Sequence, residues 1–198
     1  MSATTFQRPI ATTRSVTGIS TGKLAVWWIL ASEVVIFGGL LVYFMLMRLH
    51  HGAIWMAESQ HTRMEAGAIN TFVLLTSSLF AVLAHQAAES GDGKKAAKFL
   101  WYTIGGAIMF LCVKAWEWTG EISHGYVLTK NIFWGCYYCI TGLHGVHVVA
   151  GAIIMGFVAK DAARGKDLQR VECIGIYWHF VDIIWLFLFP LFYTSTAG

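Results

Sequence analysis

Five apolar runs, each about 20 residues or longer, alternate along the chain with short polar segments. They cover roughly 24–47, 66–88, 99–119, 132–159 and 173–193. The second and fourth contain no Asp, Glu, Lys or Arg, and the others contain one or two. A helix rises about 1.5 Å per residue, so about 20 residues cross a hydrocarbon core of about 30 Å. Lipid offers no partner to backbone N–H and C=O groups, so such a segment satisfies them internally as a helix. The fourth run is long enough to tilt. The pattern predicts an all-α fold, a polytopic membrane bundle of five transmembrane helices. No internal repeat and no long linker divides it. The expected organisation is a polar basic tail over 1–23 and a single membrane domain over 24–198.

Charge placement predicts the orientation. The tail carries Arg8, Arg14 and Lys23, the segment 89–98 carries Lys94, Lys95 and Lys98, and the segment 160–172 carries Lys160, Arg164, Lys166 and Arg170. The opposite side has Arg48, Arg63 and Lys130. Basic residues resist translocation, which puts the N-terminus inside and the C-terminus outside. The tail is rich in Ser and Thr and lacks the apolar core of a cleavable signal peptide. It fits a short basic cytoplasmic tail and faintly resembles an organellar transit peptide.

Composition agrees with a membrane protein. The chain of 198 residues is 57% hydrophobic and 13% charged, against about a quarter charged in soluble domains. Its net charge of +3 forms no basic stripe of the kind nucleic acid requires. Cys112, Cys136, Cys139 and Cys173 lie in or beside apolar runs, unlike a secreted disulfide framework. The Cys136/Cys139 pair has no companion CxxC and reads as small apolar residues on a helix.

The polar residues inside the spans carry the information, because a charge at mid-depth costs about 2.5–3.5 kcal/mol or more unless paired or neutralised. Glu33 sits in the inner half of the first run. It is either neutral or ionised beside a partner, and it reads as a proton-relay acid, an anchor near bound lipid, or an acid hydrogen-bonded across helices. Lys114 and Glu117 share a helix face and suggest an intrahelical ion pair near the outer interface. His144 and His147 are one turn apart in Thr141-Gly-Leu-His-Gly-Val-His147. His179 and Asp182 share a face in Trp178-His-Phe-Val-Asp-Ile-Ile-Trp185. Histidines on facing helices are able to hold a metal or heme. The competing reading is interhelical hydrogen bonding, with Gly142, Gly145 and Gly151 permitting close approach. The residues alone give no complete catalytic constellation, which leaves an accessory subunit, a small transporter or a cytochrome fragment.

Three stretches resemble the subunit III family of heme-copper oxidases. They are Leu30-Ala-Ser-Glu33 with the following Val-Val-Ile-Phe-Gly, then Thr141-Gly-Leu-His-Gly-Val-His-Val148 with Gly151, then Tyr177-Trp-His-Phe-Val-Asp-Ile-Ile-Trp-Leu-Phe187. Asn70-Thr71 and His85 add weaker support. The resemblance covers nearly everything from residue 24 onward and matches the family's short five-helix form, which lacks two leading helices. It implies a subunit without heme or copper of its own, those cofactors residing in partner subunits. It implies docking on the catalytic subunit I beside subunit II, phospholipid held in a cleft, and support of proton uptake in a cytochrome c oxidase that reduces dioxygen and pumps protons. Glu33 matches the family's buried carboxylate near lipid. His144, His147, His179 and Asp182 match motif positions that pack the bundle and contact lipid. The short form favours the bacterial plasma membrane, with the mitochondrial inner membrane as the alternative. A quinol oxidase subunit, with quinol replacing cytochrome c as donor, and a nitric oxide reductase accessory protein are close rivals. A proton-coupled transporter and a b-type cytochrome are distant ones.

Overall fold

A computed structural model describes residues 21–193, so the expected basic tail lies, apart from its last residues, outside the described residues. Six helices follow one another: α1 (Thr21–His50), α2 (Gly52–Ser59), α3 (Met64–Glu89), α4 (Gly93–Ser123), α5 (Ile132–Ala163) and α6 (Gln169–Tyr193). All but α2 are long and apolar enough to cross a membrane. The five expected spans are therefore present, and among the described residues there is no strand. The spans extend past the apolar runs. Lys94, Lys95 and Lys98 lie on the first turns of α4, and Lys160 lies on the last turn of α5, rather than in loops. The short α2 was not expected. Its eight residues are too few to register as a span, yet they bury Trp55 and Ser59.

The helix ends explain the tight connections. After α3, α4 and α5 the chain closes in the same way. Gly91, Gly125 and Gly165 take positive φ, and two backbone bonds fold back onto the last helical turn. After α4, for example, Tyr126 N–H donates to Glu121 O and Gly125 N–H donates to Ile122 O. Glycine adopts this left-handed conformation without a Cβ clash. Asp92 then accepts from Lys95 N at 2.9 Å and caps α4, as Asn131 accepts from Trp134 N at 3.2 Å and caps α5. Helices α3 and α4 thus form an antiparallel hairpin with a three-residue connection at 90–92.

Small residues face one another inside that hairpin. Ala66, Ala81, Ala84 and Ala88 on α3 are buried, as are Ala96, Ala97 and Ala107 on α4. A Cβ added at Gly106 would stand 2.6 Å from Ser77 Cβ, so the two backbones meet where only hydrogen fits. Lipid tails are as apolar as leucine, and close backbone approach supplies the attraction that water would otherwise drive. Helix α6 packs across α3 and α5 and closes the four-helix core. Helix α1 stands to one side, touching chiefly α6, α5 and α2. Of its residues only Leu30, Phe37 and Phe44 are buried.

Candidate functional site

The offset of α1 leaves a cleft of about 480 Å³ between α1, α5 and α6, within the range of small-molecule sites. Its walls are apolar, built from Val26, Ile29, Ala150, Ile154, Val158 and Ile174. Its polar groups are Glu33, His147, Tyr177 and, at the start of α6, Arg170. Arg170 forms ion pairs with Asp161 at 3.3 Å and Asp167 at 3.1 Å. Nearby, Lys23 meets Glu172 at 2.6 Å and ties the first turn of α1 to the first turn of α6.

Glu33 Oε2 lies 3.0 Å from His147 Nε2, without the alignment of a full hydrogen bond. The other ring nitrogen, Nδ1, faces the Leu143 carbonyl at 2.8 Å. A carbonyl only accepts, so Nδ1 carries a hydrogen. Nε2 then faces the Glu33 carboxyl across the cleft wall. Phe37 packs edge-on against the His147 ring at 5.2 Å. Tyr177 OH donates to the His147 carbonyl at 3.3 Å.

The other expected site residues lie elsewhere. His144 is fully buried one turn along α5, stacked on Trp185 at 5.3 Å and edge-on to Phe110 at 5.5 Å. Neither of its ring nitrogens has a hydrogen-bond partner among the described residues. His179 Nδ1 meets Ser78 Oγ at 2.6 Å and links α6 to α3. Asp182 is buried beside the same serine, without a full hydrogen bond. The five candidates thus divide into a cleft pair and three groups inside the helix packing. Among the described residues no group of three or more His, Cys, Asp or Glu side chains is placed to hold a metal ion. The thiols of Cys136 and Cys139 are free, one buried and one exposed.

Two clusters escaped the sequence reading. The Lys114–Glu117 pair is present at 3.0 Å, but it is the centre of a larger buried network. Lys114 Nζ also donates to Tyr137 OH at 2.9 Å and Tyr193 OH at 2.6 Å. Tyr193 OH donates to Glu117 Oε1 at 2.6 Å, and Glu121 joins through Tyr137 and Tyr138. Glu121 follows Glu117 by one turn, a spacing visible in the sequence, but the tyrosines that join them come from α5 and α6 and meet only in the fold. At the other cluster, Glu58 on α2 accepts from Lys130 Nζ at 3.2 Å, Asn131 Nδ2 at 2.8 Å and Trp134 Nε1 at 2.8 Å. Burial pushes the Glu58 carboxyl up. The hydrogen bonds from Trp134, Lys130 and Asn131 and the Lys130 charge outweigh it and hold the group below its ordinary 4.5.

The family model described as cytochrome c oxidase subunit III matches residues 5–196. A cytochrome c oxidase subunit 3 from Thermostichus vulcanus is 34% identical over 84% of this chain and 84% of that protein. A probable cytochrome c oxidase subunit 3 from Mycobacterium tuberculosis is 30% identical over 88% of this chain and 87% of its own length. A protein named heme-copper oxidase subunit I+III, from Aeropyrum pernix, is 29% identical over 86% of this chain, which spans 22% of that longer protein. With five membrane-length helices and a family match over nearly the whole chain, the protein belongs to the cytochrome c oxidase subunit III family of the heme-copper oxidases.

Proposed function

We propose that this chain is the non-redox subunit III of a respiratory terminal oxidase that reduces dioxygen with electrons from cytochrome c. Its role is to keep phospholipid at the flank of the catalytic subunit and to sustain proton uptake through many turnovers. Heme, copper and the proton-pumping machinery belong to partner chains. The observation that carries the reading is the apolar cleft between α1, α5 and α6, with the Glu33–His147 pair inside it and Arg170 among its lining residues. Acyl chains suit its walls. The cation at the helix end suits an anionic headgroup, although Arg170 already faces two carboxylates and a headgroup has to compete for it. Docking on subunit I is supported by the Aeropyrum pernix relative, whose name joins subunits I and III in one protein. The relatives named for cytochrome c oxidase favour cytochrome c over quinol as donor. The charge pattern supports an inside N-terminus, and the match to bacterial relatives supports a plasma-membrane location.

The test is Glu33→Gln in the assembled oxidase, with bound phospholipid counted by mass spectrometry and activity followed to inactivation. We expect less retained lipid and earlier loss of activity, with the initial rate preserved. Unchanged lipid content together with unchanged inactivation kinetics would overturn the reading. Oxygen uptake driven by reduced cytochrome c, and separately by quinol, assigns the donor.

A further inference from the structure

The buried network on α4 holds two carboxylates and one ammonium, and its hydrogens can be counted. Lys114, Glu117 and Glu121 are 5%, 0% and 3% exposed. The ammonium has three hydrogens and three acceptors, namely Glu117 Oε2, Tyr137 OH and Tyr193 OH. It is fully committed and gives none to Glu121. Glu117 Oε1 receives the Tyr193 hydroxyl at 2.6 Å and lies 2.9 Å from Tyr137 OH. Glu117 is therefore an ionised group with a cation and two phenols around it.

Glu121 is placed differently. Its Oε1 lies 3.2 Å from Tyr137 OH, whose single hydrogen has the nearer Glu117 oxygen to satisfy. Its Oε2 lies 3.4 Å from Tyr138 OH, whose hydrogen has the nearer Tyr126 carbonyl at 2.7 Å. An ionised Glu121 would be a buried anion beside another anion, with both neighbouring phenols engaged elsewhere. A protonated Glu121 supplies the missing hydrogen itself and donates to Tyr137 O. The network then contains one positive and one negative charge, and each hydrogen has an acceptor.

We propose that this network is a proton-binding site, in which Glu117 and Lys114 form a permanent ion pair and Glu121 carries one exchangeable proton. The proton moves between the Glu121 carboxyl and the aqueous phase beside the 124–131 segment. Glu121 is suited to that exchange because it sits in the last turn of α4, two residues before the end of the helix. When the proton leaves, a carboxylate remains and competes for the Tyr138 hydroxyl hydrogen. Tyr138 then turns from the Tyr126 carbonyl to Glu121, and the segment loses that tie. The groups facing Glu121 are Lys114 and Glu117 on its own helix, Tyr137 and Tyr138 on α5, and Tyr193, which closes the network from α6. Two further basic side chains stand beside the neighbouring Gly120: Arg63 lies over Trp116 with its guanidinium against Gly120, and His124 meets the Gly120 carbonyl; neither makes an ion pair with Glu121. The inference rests on the network alone and is independent of the lipid cleft.

The experiment is pH-difference infrared spectroscopy of the assembled oxidase in H2O and D2O. We expect a deuterium-sensitive acid C=O band at neutral pH that is lost in Glu121→Gln. The same band shifts in Tyr138→Phe without disappearing. It is lost in Glu117→Gln, because Glu121 then ionises to become the Lys114 counter-ion. A band of unchanged intensity in Glu121→Gln, or a wild-type spectrum without any acid band that this variant removes, would overturn the proposal. If Glu121→Gln does not assemble, Glu121→Asp keeps the carboxyl and must move the band; an unmoved band is equally fatal.

Discussion

Removing the charge of Lys114 tests how the buried network contributes to stability. In Lys114→Met the side chain keeps its length and loses three donated hydrogens, to Glu117, Tyr137 and Tyr193. It also loses a cation lying 4.7 Å from the Tyr137 ring centre and 5.3 Å from those of Trp185 and Tyr193. Removing one partner of a buried ion pair costs about 3–5 kcal/mol, because the other charge stays behind without compensation. Here Tyr193 still donates to Glu117, so the expected loss lies at the lower end, about 3 kcal/mol. At about 1.4 kcal/mol per factor of ten, that is a shift of over 100-fold in the folded equilibrium. Adding Glu117→Gln removes the stranded charge, and the amide keeps both donor and acceptor capacity for the phenols. The double variant should therefore recover most of the loss, to within about 1 kcal/mol of the parent. The assay is a double-mutant cycle on denaturant-induced release of the chain from the detergent-solubilised oxidase. Losses that simply add, with the double variant weaker than either single one, would refute the reasoning, as would a Lys114→Met effect below about 0.5 kcal/mol.

The hairpin contact predicts a contrast between neighbouring glycines. Gly106→Ala presses a methyl group against Ser77 and should lower stability by about 1–3 kcal/mol, whereas Gly105→Ala meets nothing within 4 Å and should be neutral or slightly stabilising; equal thermal midpoints for the two variants would contradict the packing. Glu58 predicts acid sensitivity. Its folded carboxyl is held below the ordinary value, so its contribution is complete above about pH 4.5 and is lost as pH falls through the depressed folded value. The stability difference between the parent and Glu58→Gln should therefore shrink between about pH 6 and about pH 3; a difference that is flat or grows toward acid pH would show the wrong sign.

The spans were legible because their signal is long and repeated. Twenty apolar residues without charge have few other uses, and the order of costly polar residues within them pointed to the family. Helix α2 was missed because an eight-residue helix lying outside the spans offers no comparable run. Its anchoring depends on Glu58 reaching residues more than 70 positions away, at Lys130, Asn131 and Trp134. The candidate site was legible in part. Glu33 and His147 each stood out as polar groups in apolar runs, but their pairing is a tertiary fact that neither local sequence contains. His144 lies on the same helix one turn away and faces a different neighbour, so shared spacing did not mean a shared site. Glu121 was overlooked because it lies just past the apolar run, where an acidic residue usually meets water, and only the folded chain surrounds it with tyrosines.

The sideways position of α1 also bears on how the protein is made. Helix α1 leaves the ribosome before any other described helix, yet of the helices it packs against, α6, its main neighbour, and α5 are the last two made. Between those events it has to persist in the bilayer as an independent span. Its strongest stretch has a mean hydropathy of 2.2, above the 1.6–1.8 of the other four, and only 17% of that stretch becomes buried in the finished fold. Insertion and assembly are thus separated in time for this helix, as in two-stage membrane folding. Helices α3 and α4, joined by three residues, are able to pair as soon as they emerge, while Glu33 must wait in lipid for His147 to be synthesised.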